Sequence, residues 1–236
     1  MDHLDHLDGN HSPCVPRYAY RDARAAPAPA SGPAPAKVRR SVEVPLDRGR
    51  GELLRARLIT FDGLLDGAEH FAIGLGAEPQ EVPLVRVHSE CITGEVLGSV
   101  RCDCGPQLDE ALHLIDKGGG VLLYLRQEGR GIGLYNKLDA YGLQDGGLDT
   151  FEANRALGLG DDLRDYAVAA QMLRALGHTE IDLLTNNPDK LAQLRRYGVD
   201  VRRTVGTGVF RTPHNTGYLR AKVAHTSHTI RLEETA

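Results

Sequence analysis

Apolar and polar residues alternate along the chain between positions 41 and 89, and this two-residue period is typical of half-buried strands. The alternating segments are SVEVPL (41–46), LLRARLITF (53–61), HFAIGLG (70–76) and VPLVRVHS (82–89). Together they predict a β-rich, largely antiparallel region in the first third of the chain.

A helical period begins after residue 105. Pro106 suits the first turn of a helix, where its missing N–H would have no partner in any case. An apolar stripe at helical spacing follows it, made of Leu108, Ala111, Leu112 and Ile115. Three glycines (118–120) end this helix, and the apolar run VLLYL (121–125) predicts a buried strand.

Helices and strands alternate through the second half of the chain. The predicted elements are, in order, a glycine-rich loop (126–133), a helix through Tyr141, a helix over 150–157, a helix from Asp161-Asp162 to Gly177, a strand at 180–185, a helix from Pro188 and a strand at 197–205. Asp149 and Glu152 have the spacing of a capping box at the start of the second helix. We therefore predict an α/β fold with a mixed, layered sheet: an antiparallel β-rich N-terminal part and a βαβα C-terminal part.

Composition divides the chain into two regions. APAPASGPAPA at 26–36 is Pro/Ala-rich and favours extended, solvated chain, so we predict a disordered tail over 1–37. The remaining residues, 38–236, are predicted to form one catalytic domain. With 236 residues and 41% hydrophobic content, the chain is long enough to bury a substantial core.

Charge and hydropathy exclude several classes of partner. The formal net charge of -4 argues against a nucleic-acid binder, which would show a basic face. No stretch approaches the ~20 apolar residues of a membrane span. The N-terminal MDHLDHLDGNH is acidic and polar, unlike a signal peptide. Closely spaced thiols without an export signal indicate a reducing compartment, so we expect a cytoplasmic location with no nucleic-acid or membrane partner.

Three cysteines fall in one short stretch, RVHSECITGEVLGSVRCDCG, and they carry the most specific chemical signal. Cys91, Cys102 and Cys104 supply three thiolates, an incomplete tetrahedral set for zinc. A catalytic site leaves the fourth position to water, whereas a structural site closes it with protein. We predict a zinc ion that holds a reactive water. The alternatives are a structural zinc knuckle closed by His88 or another histidine, and buried cysteines without a metal.

The segment His88-Ser89-Glu90 also matches one half of the zinc deaminase signature, H-x-E. The other half, P-C-x-x-C, is missing, because C-x-C stands in its place. A deaminase is therefore kept as a rival. Under either interpretation we expect Glu90 to lie near a metal-bound water or the edge of a substrate base.

Two loops after predicted strands have the composition of phosphate sites, and open α/β sheets bind ligands at this position. In RQEGRGIG (126–133), glycines let backbone N–H groups approach a phosphate and two arginines supply charge. In TNNPDK (185–190), Thr185 and Lys190 could reach a phosphate over a helix N-terminus. An ordinary glycine-rich turn and a plain N-cap at Asn187 are the alternatives.

The acidic segment GDDLRDY (160–166) is also open to two interpretations. Its aspartates could be partners of a helix dipole, or they could take part in catalysis.

The ordered set RVHSEC, SVRCDCG, YLRQEGRGIGL, LDTFEAN and LLTNNPDK resembles the GTP cyclohydrolase II family of riboflavin biosynthesis. The resemblance runs from about Val82 to Lys190 and more loosely to His228. The tail lies outside it. Some relatives carry a fused dihydroxybutanone-phosphate synthase, for which this chain has no room, so we expect a monofunctional form.

The resemblance implies zinc-dependent hydrolysis of GTP. The imidazole ring opens, and formate, pyrophosphate and 2,5-diamino-6-ribosylamino-4(3H)-pyrimidinone 5′-phosphate are released. It also implies one zinc ion per subunit on Cys91, Cys102 and Cys104, Mg²⁺ with the triphosphate, and a homodimer. The alternatives are a homologue that opens the ring but retains the formyl group, the zinc deaminase, and a nucleotide-binding or zinc-structural protein without turnover.

Further site residues follow from the same resemblance. Asp162 matches a proton acceptor, Arg164 a nucleophile at the α-phosphate, and Tyr141 a residue near the purine. A guanidinium stays protonated, so electrostatic stabilisation is a physically easier role for Arg164. The implied substrate-binding residues are Arg86, Val87, His88, Ser89, Glu90, Gln107, Glu128, Gly129, Arg130, Thr150, Thr185 and Lys190.

Overall fold

A computed structural model describes residues 35–49, 51, 53–76, 80–160 and 162–219, and in them seven strands form one mixed sheet. The strands are β1 (Lys37–Asp47), β2 (Leu53–Asp62), β3 (Phe71–Leu75), β4 (Leu84–Ser89), β5 (Gly120–Leu125), β6 (Glu180–Leu184) and β7 (Asp200–Val205). Most of the predicted tail lies outside the described residues, and β1 begins at its last residue, Lys37.

Six α-helices that lie wholly within the described residues and one 3₁₀ turn accompany the sheet. They are α1 (Ile92–Glu95), α2 (Cys104–Gly118), the 3₁₀ turn (Glu128–Gly131), α3 (Leu134–Asp145), α4 (Thr150–Ala156), α5 (Ala167–Ala175) and α6 (Pro188–Arg196). Within the described ranges, none of these helices has the length and hydropathy to cross a membrane. The alternation of helices and strands confirms the predicted α/β fold class.

The sheet has an antiparallel half and a parallel half. In the strand order β1-β2-β3-β5-β4-β6-β7, the pairs from β1 to β5 are antiparallel and the pairs from β5 to β7 are parallel. Strand β4, which the sequence pattern groups with the antiparallel strands, is parallel to both its neighbours. The reason is its connection to β5, which crosses over through helix α2 as a parallel pair requires.

Helices cover both faces of this sheet. The apolar stripe of α2 packs on one face against β2, β3 and β5, and this cluster includes Ile73 and Leu122. On the other face, α5 and α6 pack against alternate residues of β4, β5 and β6, including Val85 and Val87. Because side chains alternate along a strand, Arg86 and His88 project from β4 toward the α2 face.

Two helix starts differ from the sequence predictions. Helix α2 begins at Cys104, two residues before Pro106, because Asp103 accepts the first intrahelical bond from the Gln107 N–H at 3.1 Å. Pro106 still lies in the first turn, where its missing N–H costs no hydrogen bond.

The predicted helix start at Asp161-Asp162 is wrong, although Asp161 itself lies outside the described residues. Residues 162–166 are not helical, and α5 begins at Ala167. The Asp162 carboxylate accepts the Arg164 N–H at 3.1 Å, and Asp165 accepts the Ala167 N–H at 2.6 Å. Such side-chain bonds to nearby backbone compete with the helix ladder.

The other predicted helix signals are confirmed. Asp149 and Glu152 exchange side-chain bonds with each other's backbone N–H at 2.8 and 2.9 Å, as a capping box requires. Asn187 caps α6 by accepting the Asp189 N–H at 2.9 Å. Gly177 follows the end of α5 with φ = 81°, a left-handed conformation that glycine adopts without strain.

Candidate functional site

The predicted site segments gather at the carboxyl ends of three parallel strands. Cys91 follows β4, the loop 126–133 follows β5, and the segment 185–190 follows β6. Parallel strands bring these ends to the same edge of the sheet, which is where open α/β folds bind ligands.

Three cysteine side chains converge at this edge. The sulfurs of Cys91, Cys102 and Cys104 lie within 4.8 Å of one another, and Cys91 Sγ is 3.7 Å from Cys102 Sγ. Tetrahedral zinc with Zn–S bonds of about 2.3 Å would hold two sulfurs about 3.8 Å apart. The cluster therefore fits a tetrahedral metal ion such as zinc.

Two glycines make the room that this cluster occupies. A Cβ on Gly94 would lie 2.7 Å from Cys102 Sγ and 3.3 Å from Cys91 Sγ. A Cβ on Gly105 would lie 2.6 Å from the Gly94 carbonyl oxygen. Helices α1 and α2 can thus approach closely only because both positions lack a side chain, and this approach brings Cys104 up to Cys91.

His88 does not join the thiol cluster, so the alternative of a structural zinc knuckle closed by His88 is not supported. Its Nε2 donates to Glu95 Oε1 at 2.7 Å, and the Tyr124 hydroxyl donates to Glu95 Oε2 at 2.6 Å. Burial lowers the pKa of His88, which keeps the imidazole neutral. Among the described residues, the candidate metal group consists of the three cysteines, and no histidine or carboxylate joins it as a fourth ligand.

A buried lysine contacts the thiol cluster. Lys137 Nζ lies 3.2 Å from Cys91 Sγ, 2.8 Å from Thr93 Oγ1 and 2.8 Å from Glu128 Oε1. Burial alone would lower the pKa of Lys137, but the Cys91 thiolate and the Glu128 carboxylate outweigh it and raise that pKa. The lysine is therefore a fixed positive charge beside the cluster.

The three thiols share their protons unequally. Hydrogen bonds from the Cys102 and Cys104 thiols, aided by the nearby ammonium, lower the pKa of Cys91. The hydrogen bond from Cys104 lowers the pKa of Cys102. The bond from Cys102 to Cys91 and the burial of Cys102 outweigh that effect and raise its pKa to about 11. Hydrogen bonding and burial also raise the pKa of Cys104. Binding of a divalent metal must displace the protons that remain.

The thiol cluster opens into a cleft formed by β4, the glycine loop, α3 and α4. Its lining includes predicted residues from every one of these elements: Ser89, Glu90, Glu128, Gly129, Arg130, Tyr141 and Thr150. A second cleft shares Glu90, Gln127 and Glu128 with the first and extends to Leu163 and Asp165. The edge of the sheet thus carries two adjoining concave surfaces.

The glycine loop has an unusual backbone that its charged residues help to fix. Arg130 has φ = 62°, the one positive value among the described residues other than glycine. The preceding Gly129 also has φ = 62°, and a Cβ there would meet Ile132 at 3.0 Å. Glu128 accepts N–H bonds from Gly129 at 2.8 Å and from Ile92 at 2.7 Å. The loop is therefore tied to the start of α1, next to Cys91.

A second group of site residues surrounds Tyr166 and is strongly cationic. The Lys190 ammonium lies 5.5 Å from the Tyr166 ring centroid, and the Arg164 guanidinium lies 6.0 Å from it. Lys190 also donates to the Val87 carbonyl oxygen at 2.7 Å. Arg86, close to Cys104, donates to the carbonyl of Leu184 and to Gln107, both at 3.1 Å. Arg86 and Lys190 are buried and Arg164 is half-buried, and such cations suit an anionic ligand.

Asp162 and Arg164 form a two-pronged ion pair. Arg164 Nε donates to Asp162 Oδ1 at 2.8 Å, and a second guanidinium nitrogen donates to the other carboxylate oxygen. Burial disfavours the charged form of Asp162, but the arginine outweighs this and lowers the pKa of the carboxyl. Burial also acts to lower the pKa of Arg164, and its anionic neighbours raise it overall. Both groups are therefore ionised at neutral pH.

The predicted residues thus fall into two neighbouring groups. The three cysteines line the first cleft together with the seven residues named above. The residues that the structure does not place in that lining are Arg86, Val87, His88, Gln107, Thr185, Lys190, Asp162 and Arg164. Thr185 instead accepts the Asn187 N–H at 3.0 Å and stabilises the turn after β6.

Sequence reasoning missed Lys137, Thr93, Glu95 and Arg101. Lys137 lies on α3 with Ala140 and Tyr141 on the cleft side, while Leu138 faces outward with 47% exposure. The sequence does carry one indication of this: Lys137 has helical spacing to residues that face the cleft, and the neighbouring Leu138 faces solvent. Arg101 binds Asp145 at 2.8 Å and covers the Tyr141 ring at 5.0 Å.

Fold and site together define an α/β protein with a cluster of three thiols, spaced as metal ligands are, at the carboxyl edge of its sheet. A sequence model of the GTP cyclohydrolase II family matches residues 39–206. The GTP cyclohydrolase-2 of Psychromonas ingrahamii is 50% identical over 197 residues, which cover 83% of this chain and 98% of that protein. The GTP cyclohydrolase-2 of Vibrio cholerae is 51% identical over 179 residues, covering 75% and 90%. The riboflavin biosynthesis protein RibBA of Thermotoga maritima is 53% identical over 175 residues, covering 74% of this chain and 45% of that protein. The chain belongs to the GTP cyclohydrolase II family.

Proposed function

We propose that the protein hydrolyses GTP in riboflavin biosynthesis, opening the imidazole ring and releasing formate and pyrophosphate. The remaining product is 2,5-diamino-6-ribosylamino-4(3H)-pyrimidinone 5′-phosphate. Family membership supports the reaction, and one structural observation carries it: three thiols with metal-ligand spacing open into a cleft without a fourth protein ligand among the described residues.

The metal that suits this cluster is one Zn²⁺ per subunit. A zinc ion there would act as a Lewis acid and lower the pKa of a bound water, which is the chemistry that attack on a purine C8 requires. Cys91, Cys102 and Cys104 would hold the ion. Glu90 lines the same cleft and binds Arg126 at 3.0 Å, and we assign it the orientation of the base or the acceptance of a proton.

The cationic group around Tyr166 is the proposed site for the triphosphate, accompanied by Mg²⁺. Arg86, Arg164 and Lys190 each bring a buried or half-buried positive charge to this region. Arg164 stays a guanidinium because its pKa is raised, so we assign it stabilisation of charge on the α-phosphate during loss of pyrophosphate. Asp162, ionised and bound to Arg164, would orient that guanidinium and could accept a proton once the pair separates.

Two rival reactions share this site. A homologue that opens the ring but retains the formyl group would use the same cluster. A zinc deaminase would need His88 as a metal ligand. The deaminase is less well supported, because His88 Nε2 is bonded to Glu95 rather than directed at the thiols.

Product analysis separates these reactions. Purified protein is incubated with GTP, Zn²⁺ and Mg²⁺, and formate, pyrophosphate and ammonia are quantified per GTP consumed, with the product identified by mass. We expect about one formate and one pyrophosphate for each GTP. A formate ratio near zero with a ring-opened formamide would identify the formyl-retaining homologue, and ammonia release would identify a deaminase. A protein that binds zinc and GTP without consuming GTP would contradict the enzymatic assignment.

Assembly and location are proposed on the same basis. We propose a homodimer in the cytoplasm, because the family implies both. Size-exclusion chromatography with light scattering would test the dimer, and a mass equal to one chain of 25.7 kDa would contradict it.

A further inference from the structure

The ammonium of Lys137 has a partner for each of its three N–H donors. These partners are Cys91 Sγ at 3.2 Å, Thr93 Oγ1 at 2.8 Å and Glu128 Oε1 at 2.8 Å. They come from the strand-to-helix turn after β4, from α1 and from the glycine loop. The lysine itself lies on α3. One side chain therefore connects the three elements that form the metal-binding side of the cleft.

Burial of this charge needs a specific reason. Lys137 is only 9% exposed, and lysine is almost never so deeply buried unless it is paired. Glu128 supplies one countercharge, but its two oxygens also accept N–H bonds from Gly129 and Ile92. An ion pair alone would not require the ammonium to contact a sulfur that can bind metal.

The contact with sulfur has a direct electrostatic consequence. Three thiolates around a divalent cation carry one more negative charge than positive, and a low-dielectric site makes that excess costly. An ammonium hydrogen-bonded to one thiolate offsets the excess. It also draws electron density from that sulfur and fixes the direction of its lone pairs, as groups outside the ligand shell do at metal sites.

We propose that Lys137 is a positioning residue of the metal centre, which holds Cys91 Sγ in the ligand geometry and balances the charge of the three-thiolate site. This inference deepens the proposed function and rests on it for the presence of a metal. Thr93 and Glu128 keep the ammonium against the sulfur. The rival interpretation is that Lys137 serves Glu128 alone and has no influence on the metal.

Metal affinity and the spectrum of a cobalt-substituted protein test this role without relying on turnover. Lys137→Met removes the charge and the donor but keeps an unbranched chain. Lys137→Arg keeps both charge and donor. Lys190→Met is the matched control for metal binding, because it also removes a buried ammonium, one that donates to the Val87 carbonyl oxygen at 2.7 Å. Affinity is measured by competition with a chelator, and the thiolate-to-cobalt charge-transfer band is recorded for each variant.

We expect Lys137→Met to bind Zn²⁺ and Co²⁺ about 10- to 100-fold more weakly, the range for residues that support metal ligands. Its charge-transfer band should shift, because Cys91 becomes a stronger electron donor. Lys137→Arg should recover most of the affinity and the wild-type band position, and Lys190→Met should match wild type in both. A Lys137→Met protein with wild-type affinity and spectrum would overturn the inference.

A second variant covers the case in which Lys137→Met does not fold, as judged by circular dichroism. Thr93→Val removes one partner of the ammonium, together with a hydroxyl 3.6 Å from Cys91 Sγ, and should shift the band in the same direction by a smaller amount. An unchanged band in Thr93→Val would then overturn the inference. Failure of wild-type protein to bind zinc at all would instead defeat the proposed function, so the two failures are distinguishable.

Discussion

The antiparallel and parallel halves of the sheet differ in where their chemically reactive side chains lie. None of the residues assigned to the site lies on β1, β2 or β3, and β1 is exposed along nearly its whole length. The parallel strands β4, β5 and β6 each run into a loop that carries site residues. The antiparallel half of the sheet therefore serves as a scaffold, and the parallel half positions the residues of the site.

The difference follows from strand direction. In a parallel arrangement every carboxyl end lies at the same edge, so groups that are distant in sequence meet there. In an antiparallel arrangement successive carboxyl ends lie at opposite edges. Cys91 after β4 and the glycine loop after β5 therefore meet, as Glu128 shows by bonding the Ile92 N–H at 2.7 Å. Reactive residues placed after β1 and β2 would not converge in this way.

The largest effect should come from removing one thiol of the parallel half. Cys102→Ser is expected to lower bound zinc and the rate of formate release by more than ~100-fold, beyond the range for residues that only support ligands. Metal content by elemental analysis and formate per GTP are the measurements. Cys14→Ser is the control, because the sequence places that thiol in the tail and we expect no change. Full metal content in Cys102→Ser would contradict the assignment of the cluster.

The sequence predicts the structural features that depend on residues close together in the chain better than those that depend on distant residues. The apolar stripe from Leu108 to Ile115 and the capping box at Asp149 are local patterns, and both were predicted correctly. The helix start at Asp161-Asp162 was also a local prediction, and it failed. The aspartates in this segment bond backbone N–H groups two residues onward, which propensity does not reveal.

Contacts between distant elements were the least predictable part of the site. The cysteines were recognisable from their spacing, because metal ligands have a distinctive residue type. Lys137 was missed, because a charged residue at helical spacing ordinarily faces solvent and its partner Cys91 is 46 positions away. The substrate-binding role of His88 follows from the family resemblance and stays a prediction. Its bond to Glu95 depends on how α1 folds back over β4, which the sequence does not show.

The second largest effect should come from filling the space beside the thiols. Gly94→Ala places a Cβ 2.7 Å from Cys102 Sγ, so the sulfur must move and zinc affinity should fall about 10- to 100-fold. Alanine is a good helix former, so a loss of affinity in Gly94→Ala would come from the space that the added Cβ takes and not from backbone strain. Gly74→Ala on β3 is the matched control, because its Cβ would meet the Arg57 side chain at 3.5 Å and the Ile59 side chain at 3.7 Å, both ordinary contact distances. Equal zinc affinity in the two variants would show that Gly94 does not confine the cluster.

A core change in the antiparallel half should alter stability without altering chemistry. Ile59 on β2 is 7% exposed and packs in the same cluster as α5, so Ile59→Val should lower the free energy of unfolding by about 1 kcal/mol. Denaturant titration measures this loss. Zinc affinity and KM for GTP should stay at wild-type values, since none of the residues assigned to the site lies on β2. A fall in zinc affinity would show that the two halves are coupled more closely than their separate roles suggest.

The smallest effect should come from the ion pair that links the end of the antiparallel hairpin to α2. Arg48 binds Asp109 at 2.7 Å through Nε and at 2.5 Å through a second nitrogen, with both side chains more than a quarter exposed. Because solvent screens such pairs, Asp109→Asn should lower the free energy of unfolding by about 0.5 kcal/mol or less. The decrease should be larger at low salt than at high salt, because salt screens the ion pair further. Thermal unfolding at two salt concentrations measures both quantities. Helix α2 also carries Cys104, so a measurable loss of zinc affinity in Asp109→Asn would mean that the antiparallel hairpin helps to position the thiols after all.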